Sequence, residues 1–184
     1  MNREEALQLV KEKIKNENLV KHCLAVEICM RALAKHLGGE DEEKWALAGL
    51  LHDIDYEETK DNPEKHSLIG AEMLEKLGLD KEMCEAVKTH NEMHGIKPES
   101  KMAKALYSVD PLTGLIVAAT LVLPSRKLAN VTPENVLNRF KEKGFARGAN
   151  REIIKKCEDI NLALEEFVKI GLEAMQSIAN EIGL

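Results

Sequence analysis

Apolar side chains recur at helical spacing along most of this chain, and no stretch shows the apolar–polar alternation typical of a β-strand. One series runs from Leu19 to Leu37 in steps of three and four residues, and a second runs from Leu164 to Ile182. Such steps place the apolar residues on one face of an α-helix, where they can pack against a core. The sequence therefore predicts an all-α fold built from packed amphipathic helices.

Short helix-stop signals divide the chain, and no repeat, low-complexity tract or longer linker separates one part from another. One stop is Gly38-Gly39, and two others, Asn62-Pro63 and Thr132-Pro133, pair an N-cap residue with a proline that a first helical turn tolerates. Between the stops we predict helices at residues 2–16, 18–37, 41–52, 63–77, 80–93, 99–109, 112–123, 133–143, 150–158 and 161–181. The 184 residues therefore predict one domain, residues 1–184, folded as a bundle of about eight to ten helices.

The composition fits a globular protein with an aliphatic core. Apolar residues make up 44% of the chain and aromatic residues only 3%, so Leu, Ile, Val, Ala and Met must fill the interior. There are 26 Lys and Arg against 32 Asp and Glu, a net charge of −6, and no basic run. Binding to a phosphate backbone needs clustered cations, so this balance argues against a nucleic acid polymer as partner. It leaves room for a small phosphorylated ligand held by a few local cations.

No segment predicts a membrane span or a secretory signal. The longest uncharged run, Pro111–Ser125, has fifteen residues and is too short to cross a bilayer. Residues 1–15 mix acids and bases, unlike an export signal. The four cysteines form no C-x-x-C pair and are expected to be reduced core residues. We therefore expect a cytoplasmic protein with no membrane partner.

Histidine and aspartate side chains occur at helix positions where neither is needed for packing. His52-Asp53 ends an apolar helix, and imidazole with carboxylate is ligand chemistry suited to iron, manganese, zinc or nickel. His22 lies beside the apolar stripe of the preceding helix and should point into the domain. Asp110 opens the most apolar segment, where a carboxylate needs a cation or hydrogen bonds. It is alternatively a simple N-cap before Pro111.

Three further histidines follow in the next helices. His66 is expected in the first turns of a helix that Pro63 begins. His90 and His94 are four residues apart, which predicts a shared helix face and is the spacing of helical zinc sites. The zinc-protease pattern requires Glu directly after the first histidine, and Asn91 stands there instead, so that interpretation fails.

Taken together, the chain resembles the HD superfamily of metal-dependent phosphohydrolases, in the branch with an HDIG motif. His22, His52-Asp53 and Asp110 follow the order of its H…HD…D signature. The segment Ala48–Asp55 is similar to the family's A-x-L-L-H-D-I-G motif. The strings KHSLIG at 65–70 and AVKTH at 86–90 are similar to its H-x-x-x-G and A-I-x-x-H motifs. The resemblance covers a core of about residues 18–112, and residues 113–184 are expected to form a helical C-terminal extension packed on it.

The resemblance implies a helical bundle with a central metal site that holds one or two divalent transition-metal ions. Iron or manganese is the first expectation, with nickel, cobalt, zinc or magnesium as alternatives. The implied ligands of the first ion are His22, His52, Asp53 and Asp110. The two-metal branch of the family implies a second ion bound by His66 and His90, with Asp53 bridging the two.

The chain departs from the family pattern at several points. Asp55 stands where the HDIG motif has glycine, and Asn91 stands where the cyclic-dinucleotide esterases of the GYP branch have a second histidine. The GYP string itself is absent. These differences disfavour a cyclic-di-GMP hydrolase.

The resemblance implies hydrolysis of a small phosphomonoester or phosphodiester, nucleotide-like in character, by a metal-activated hydroxide. The implied catalytic residues are Asp53, His66 and His90, and Glu92 with His94 is a candidate acid–base pair. Cations at helix boundaries are candidates for binding the substrate phosphate, namely Lys65, Arg126, Lys127 and Arg147. Two alternatives stay open, a non-haem di-iron oxygenase on the same scaffold and a non-catalytic metal-binding signalling module. Nothing in the sequence excludes a homodimer.

Overall fold

The computed structural model describes residues 1–38 and 41–184, and every regular element in these residues is helical. The α-helical segments are α1 (Arg3–Lys13), α2 (Glu17–His36), α3 (Glu42–Leu51), α4 (Tyr56–Thr59), α5 (Leu68–Lys76), α6 (Lys81–Thr89), α7 (Lys101–Leu121), α8 (Pro133–Lys141), α9 (Arg151–Ile154), α10 (Leu164–Ser177) and α11 (Ala179–Ile182). Short 3₁₀ turns lie at Pro63–Lys65, Glu92–His94, Leu128–Asn130 and Lys155–Ile160. Three of the eleven α-segments are single turns of four residues, which leaves eight longer helices. The predicted all-α fold class is confirmed.

Polar caps explain where most of these helices begin. Thr132 accepts a hydrogen bond from the amide of Asn135 and forms a capping box before Pro133, as the sequence predicts. The prediction at Asn62 is wrong: its side chain makes no capping bond, and only a 3₁₀ turn follows it. The next α-helix begins at Leu68, after Ser67 has turned the chain with a φ of +71°. The predicted stop at Gly38-Gly39 lies partly outside the described residues.

Helix α7 is longer than predicted because Pro111 does not end a helix. Ser100 caps its N-terminus, and the helix continues through Asp110 and Pro111 to Leu121. The two predicted helices at 99–109 and 112–123 are therefore one, and the interpretation of Asp110 as an N-cap is wrong. A proline ring removes one helical hydrogen bond and disfavours helical geometry before it. Burial of most of α7 in the core offsets this cost.

A close approach between α2 and α3 forms the centre of the bundle. A Cβ at Gly49 of α3 would lie 2.8 Å from the carbonyl oxygen of Val26 and 3.0 Å from Cα of Glu27, both in α2. Only glycine fits where two helix backbones come this near. The contact brings the C-terminal end of α3 against the middle of α2. The ion pair of Arg3 with buried Glu27 holds α1 on the same pair of helices.

The C-terminal helices complete the core rather than stand apart from it. Helix α10 packs against α2, α7 and α8, and one hydrophobic cluster extends from Ala6 to Ile182. A Cβ at Gly171 of α10 would lie 3.0 Å from the Leu112 side chain, so this helix also approaches α7 closely. The sequence predicts a core of about residues 18–112 and a C-terminal extension of residues 113–184, and the boundary between them falls inside α7.

Two further expectations concern the membrane and the cysteines. Among the described helices, none combines the length and the hydropathy that a membrane crossing requires.

Cys23, Cys29, Cys84 and Cys157 are all buried free thiols, as predicted. Burial raises the pKa of the Cys29 thiol to about 12, so it stays protonated and packs as a small apolar group.

Candidate metal centre

Two histidines meet where α2 and α3 cross. His22 projects from α2, and His52 is the residue that ends α3. Their Nε2 atoms lie 3.2 Å apart, and the ring of His52 is fully buried. The close helix contact at Gly49, one turn before His52, is what allows this approach.

Two carboxylates face this histidine pair. Oδ1 of Asp110, from α7, lies 3.0 Å from Nε2 of His22. Oδ2 of Asp53 lies 3.4 Å from Nε2 of His52 and 3.7 Å from Nε2 of His22. Two imidazole nitrogens and two carboxylate oxygens therefore converge from three helices on one point.

A second histidine pair faces the other oxygen of the same aspartate. Nε2 of His66 lies 3.3 Å from Oδ1 of Asp53, and Nε2 of His90 lies 3.5 Å from that oxygen. The four imidazole rings form a row in the order His22, His52, His90, His66, with neighbouring ring centroids 5.0 Å apart. Asp53 thus lies between two histidine pairs and offers one oxygen to each.

Hydrogen bonds that the Nδ1 atoms donate determine which nitrogen of each ring keeps its lone pair. In His52 and His90, Nδ1 lies 2.8 Å from the carbonyl of Gly49 and 2.7 Å from that of Val87, respectively. A carbonyl only accepts, so Nδ1 donates its proton in both rings. In neutral imidazole the proton is then absent from Nε2, whose lone pair faces the carboxylates.

The other two rings are held in the same way. Nδ1 of His66 donates to Oδ1 of Asp55 at 3.0 Å. The Thr113 hydroxyl donates to the carbonyl of Asp110 at 2.8 Å, so it accepts from Nδ1 of His22 at 3.1 Å. All four Nε2 lone pairs therefore point inward, which is the arrangement typical of histidines that ligate a metal.

The donor set fits divalent cations. Without a positive charge, Nε2 lone pairs would face carboxylate oxygens at short range, an arrangement that repels. Groups of three ligand atoms lie within 4.8 Å of one another in His22–His52–Asp53, in Asp53–His66–His90 and in His52–His90–Asp110. Nitrogen and oxygen ligands in this number suit iron, manganese, nickel or zinc.

The pKa shifts of Asp53 and His66 also indicate that positive charge stabilises this centre. Burial raises the pKa of the Asp53 carboxyl, but when no metal ion is bound the positive charge of a protonated His52 and hydrogen bonds from protonated His52, His66 and His90 hold it well below its usual range. Burial lowers the pKa of His66, but its hydrogen bonds to Asp53 and Asp55 raise it to about 9. A proton and a metal ion therefore compete for the Nε2 of His66.

Comparison with known proteins identifies this arrangement. The model of the HD domain family matches residues 19–120, which contain all six of these histidines and aspartates. The chain belongs to the HD-domain family. This superfamily is generally one of metal-dependent phosphohydrolases, and its members bind divalent metals.

Curated relatives of this HD-domain chain include much longer proteins. Ribonuclease Y of Lawsonia intracellularis is 31% identical over 140 residues, 74% of this chain and 26% of the relative. Ribonuclease Y of Sulfurovum sp. is 29% identical over 171 residues, 90% of this chain and 33% of the relative. The chain thus spans about a quarter to a third of their length. An uncharacterized protein of Methanocaldococcus jannaschii is 30% identical over 178 residues, 92% of this chain and all of the relative. No solved structure matches.

Two other predicted site residues lie beside the HD-domain centre. Glu92 lines a cleft of about 140 Å³ that His66, His90 and Asp110 also line. Its Oε2 accepts a hydrogen bond of 2.9 Å from the side chain of Asn150. Arg147 lines a neighbouring cleft of about 320 Å³ together with His22 and Asp110.

The structure does not bring the remaining predicted cations to the centre. Lys65 is exposed in the 3₁₀ turn before His66. Arg126 and Lys127 follow the end of α7, whose last residue is eleven positions after Asp110, about 16 Å along the helix. None of the three is among the residues lining the clefts beside the metal-ligand candidates.

The prediction that His90 and His94 share a helix face is wrong. Helix α6 ends at Thr89, so His90 and His94 do not share a helix face. His94 lies in the 3₁₀ turn Glu92–His94, where its Nε2 donates to the carbonyl of His66 at 2.7 Å. Asn91 donates to the same carbonyl at 3.3 Å. The ring of His94 therefore holds the backbone of His66 through this hydrogen bond.

Asp55 is the residue whose role at the HD-domain centre the sequence does not reveal. Its fully buried carboxylate accepts from Nδ1 of His66 through Oδ1 and from the amide of Gly70 at 2.8 Å through Oδ2. A Cβ at Gly70 would lie 3.1 Å from this carboxylate, which explains the glycine. The sequence signal was the aspartate in place of the motif's glycine, followed fifteen residues later by Gly70.

Proposed function

We propose that this chain is a phosphohydrolase that uses two divalent ions, iron or manganese, to cleave a small nucleotide-like phosphomonoester or phosphodiester. The observation that carries the proposal is the position of Asp53. Its Oδ2 faces His22 and His52, and its Oδ1 faces His66 and His90. One carboxylate with an oxygen facing each of two histidine pairs can serve as a ligand shared by two ions, which supports a dinuclear site.

Each side chain has a defined role in this hydrolysis. When bound, the ions supply Lewis acidity toward the phosphate oxygens and activate the attacking water. The two histidine pairs and Asp110 would hold the two ions in fixed positions, because Nδ1 of each of the four histidines is already hydrogen-bonded. The reaction breaks one P–O ester bond and forms a new P–O bond to the water oxygen; one water proton ends on the released alcohol and the other on the phosphate product or in solvent.

Glu92 and Arg147 act on the substrate, Glu92 by proton transfer and Arg147 by phosphate binding. Glu92 lines the cleft next to His66 and His90, and Asn150 orients its Oε2. The carboxyl group is therefore in position to exchange a proton with the leaving oxygen. Arg147, beside His22 and Asp110, supplies a cation that hydrogen-bonds phosphate oxygens.

The relatives support a phosphate ester as substrate. The name ribonuclease Y denotes cleavage of RNA, whose nucleotides are joined by phosphodiesters. This chain spans 26% of the Lawsonia relative, and its net charge is −6. We therefore propose a small phosphorylated substrate for this chain, not a nucleic acid polymer.

Chelation tests the proposed activity. Protein purified without oxygen should hydrolyse members of a panel of 5′-nucleotides, dinucleotides and bis-p-nitrophenyl phosphate. EDTA should lower turnover at least about 100-fold, and added Mn²⁺ or Fe²⁺ should restore it, because the metal-binding residues alone supply no Lewis acid. The Asp53→Asn protein measures any contaminating phosphatase. Oxygen uptake without phosphate release would support the oxygenase instead, and metal binding without turnover on any substrate would support a non-catalytic module.

Asp55→Ala tests the second metal position. Without this carboxylate, His66 loses the acceptor that orients its ring and directs Nε2 toward Asp53. We expect metal affinity at the His66–His90 position to fall about 10- to 100-fold, with the His22–His52 position retained. Metal titration should show the stoichiometry falling from about two toward one. Exposed Asp61→Ala is the matched control, and circular dichroism checks the fold. Unchanged affinity for both ions would show that Asp55 only anchors the loop.

A further inference from the structure

A third cleft, larger than the two that the metal-ligand candidates line, lies beside the metal centre. It has a volume of about 740 Å³ and is built by the end of α8, the following loop and α9. Glu92, Gly148 and Asn150 line both this cleft and the small cleft that contains His66 and His90. The two clefts are therefore neighbours that share one wall, and a ligand that extends past Glu92 or Asn150 from the metal centre would reach the larger one.

Most charged side chains that line this third cleft are cations. Lys141, Lys143 and Arg147 line it, and no carboxylate in the described residues forms an ion pair with any of them. Lys155 also lines it but is paired with Glu152 at 3.1 Å. The chain as a whole has a net charge of −6, but these three unpaired cations make the cleft locally positive. A positive cleft favours an anionic ligand.

One arginine holds the loop that carries these cations. The guanidinium of Arg151 donates to the carbonyls of Phe145, Ala146 and Ala149 at 2.6, 2.8 and 2.6 Å. Longer bonds reach the carbonyls of residues 139, 140 and 142. This network fixes the backbone around Lys143 and Arg147 before any ligand binds, which lowers the entropic cost of binding.

We propose that this basic cleft, defined by Lys141 and Lys143 with Arg147 at its border with the metal centre, binds a second phosphate group of the substrate. The inference rests on the proposed hydrolase function and narrows its substrate class to nucleosides that carry two separate phosphate groups. The scissile phosphate lies at the metal centre and the other in the basic cleft. A volume of about 740 Å³ is in the range of small-molecule sites, which favours such a compound over a polymer.

A binding comparison tests the proposal on the metal-loaded protein. Isothermal titration measures Kd for adenosine 3′,5′-bisphosphate and for the 3′- and 5′-monophosphates, with KM used for any compound that turns over. The wild type should prefer the bisphosphate about tenfold. In the Lys141→Ala/Lys143→Ala protein this preference should fall to about one while the monophosphate constants stay unchanged. The matched control, Lys76→Ala/Lys169→Ala, removes two exposed lysines outside the cleft and should keep the preference.

The outcomes separate this inference from the proposed function. Equal affinity for mono- and bisphosphates in the wild type, or a preference that survives the loss of both lysines, would overturn the second phosphate site. Lys141 and Lys143 would then be surface charges at the C-terminal end of α8. A preserved bisphosphate preference with no hydrolysis of any compound would overturn the hydrolase and leave a binding site for bisphosphates.

Discussion

Asp53→Asn is expected to remove most bound metal and to lower hydrolytic turnover by about 10³-fold or more. The carboxylate of Asp53 faces both histidine pairs, and the amide that replaces it offers only one oxygen acceptor. Its NH₂ group must face one of the pairs and cannot ligate there. On the proposed two-metal function, loss of this charge removes several kcal/mol of transition-state stabilisation, and each 1.36 kcal/mol is tenfold in rate.

Metal analysis and turnover should be measured on the same preparation. Asn has the shape of Asp, so the helical circular dichroism and the melting profile should stay close to those of the metal-free wild type. Asp61→Asn makes the same chemical change at an exposed loop position and should leave both metal and turnover unchanged. Full metal occupancy in Asp53→Asn would contradict the assignment of Asp53 as the shared ligand.

The part of the centre that the sequence anticipates best is the part that helices build. His22 lies beside an apolar stripe, and His52-Asp53 ends an apolar helix, so helical periodicity alone directs them to the interior. The structure brings them together with Asp110, His66 and His90, and metal binding by these six residues stays a prediction. Gly49 shows why the approach is so close, and its place inside an apolar helix gave no sign of it.

The features whose geometry no local sequence rule gives depend on loops and tertiary contacts. His66 reaches Asp53 because Ser67 turns the chain with a positive φ, a conformation that no local rule assigns to serine. Helix α7 continues through Pro111 because burial outweighs the local preference of proline. Arg147 lies beside the metal centre because Arg151 donates hydrogen bonds to backbone carbonyls as far back as Arg139, twelve residues earlier. Such a network leaves no periodic pattern in the sequence.

Gly49→Ala is expected to destabilise the protein by about 3 kcal/mol, at the upper end of the cost of overpacking. The added methyl group would lie 2.8 Å from the carbonyl oxygen of Val26 and 3.0 Å from the Glu27 backbone. Both are main-chain atoms of α2, so no flexible side chain can move aside. The two helices must separate, and the 3.2 Å contact between His22 and His52 must lengthen with them. The variant should therefore lose stability and metal affinity together.

Thermal unfolding of the metal-free and metal-loaded proteins separates these two effects. For a chain of 184 residues, a loss of about 3 kcal/mol corresponds to a Tm about 6 to 12 °C lower. Gly114→Ala is the matched control, because a Cβ there meets no atom within 4 Å and alanine favours the helix. It should leave Tm unchanged or raise it slightly. Equal melting of the two variants would show that α2 and α3 tolerate a wider spacing. Reduced metal affinity only in Gly49→Ala would show that this one contact sets both the packing and the ligand geometry.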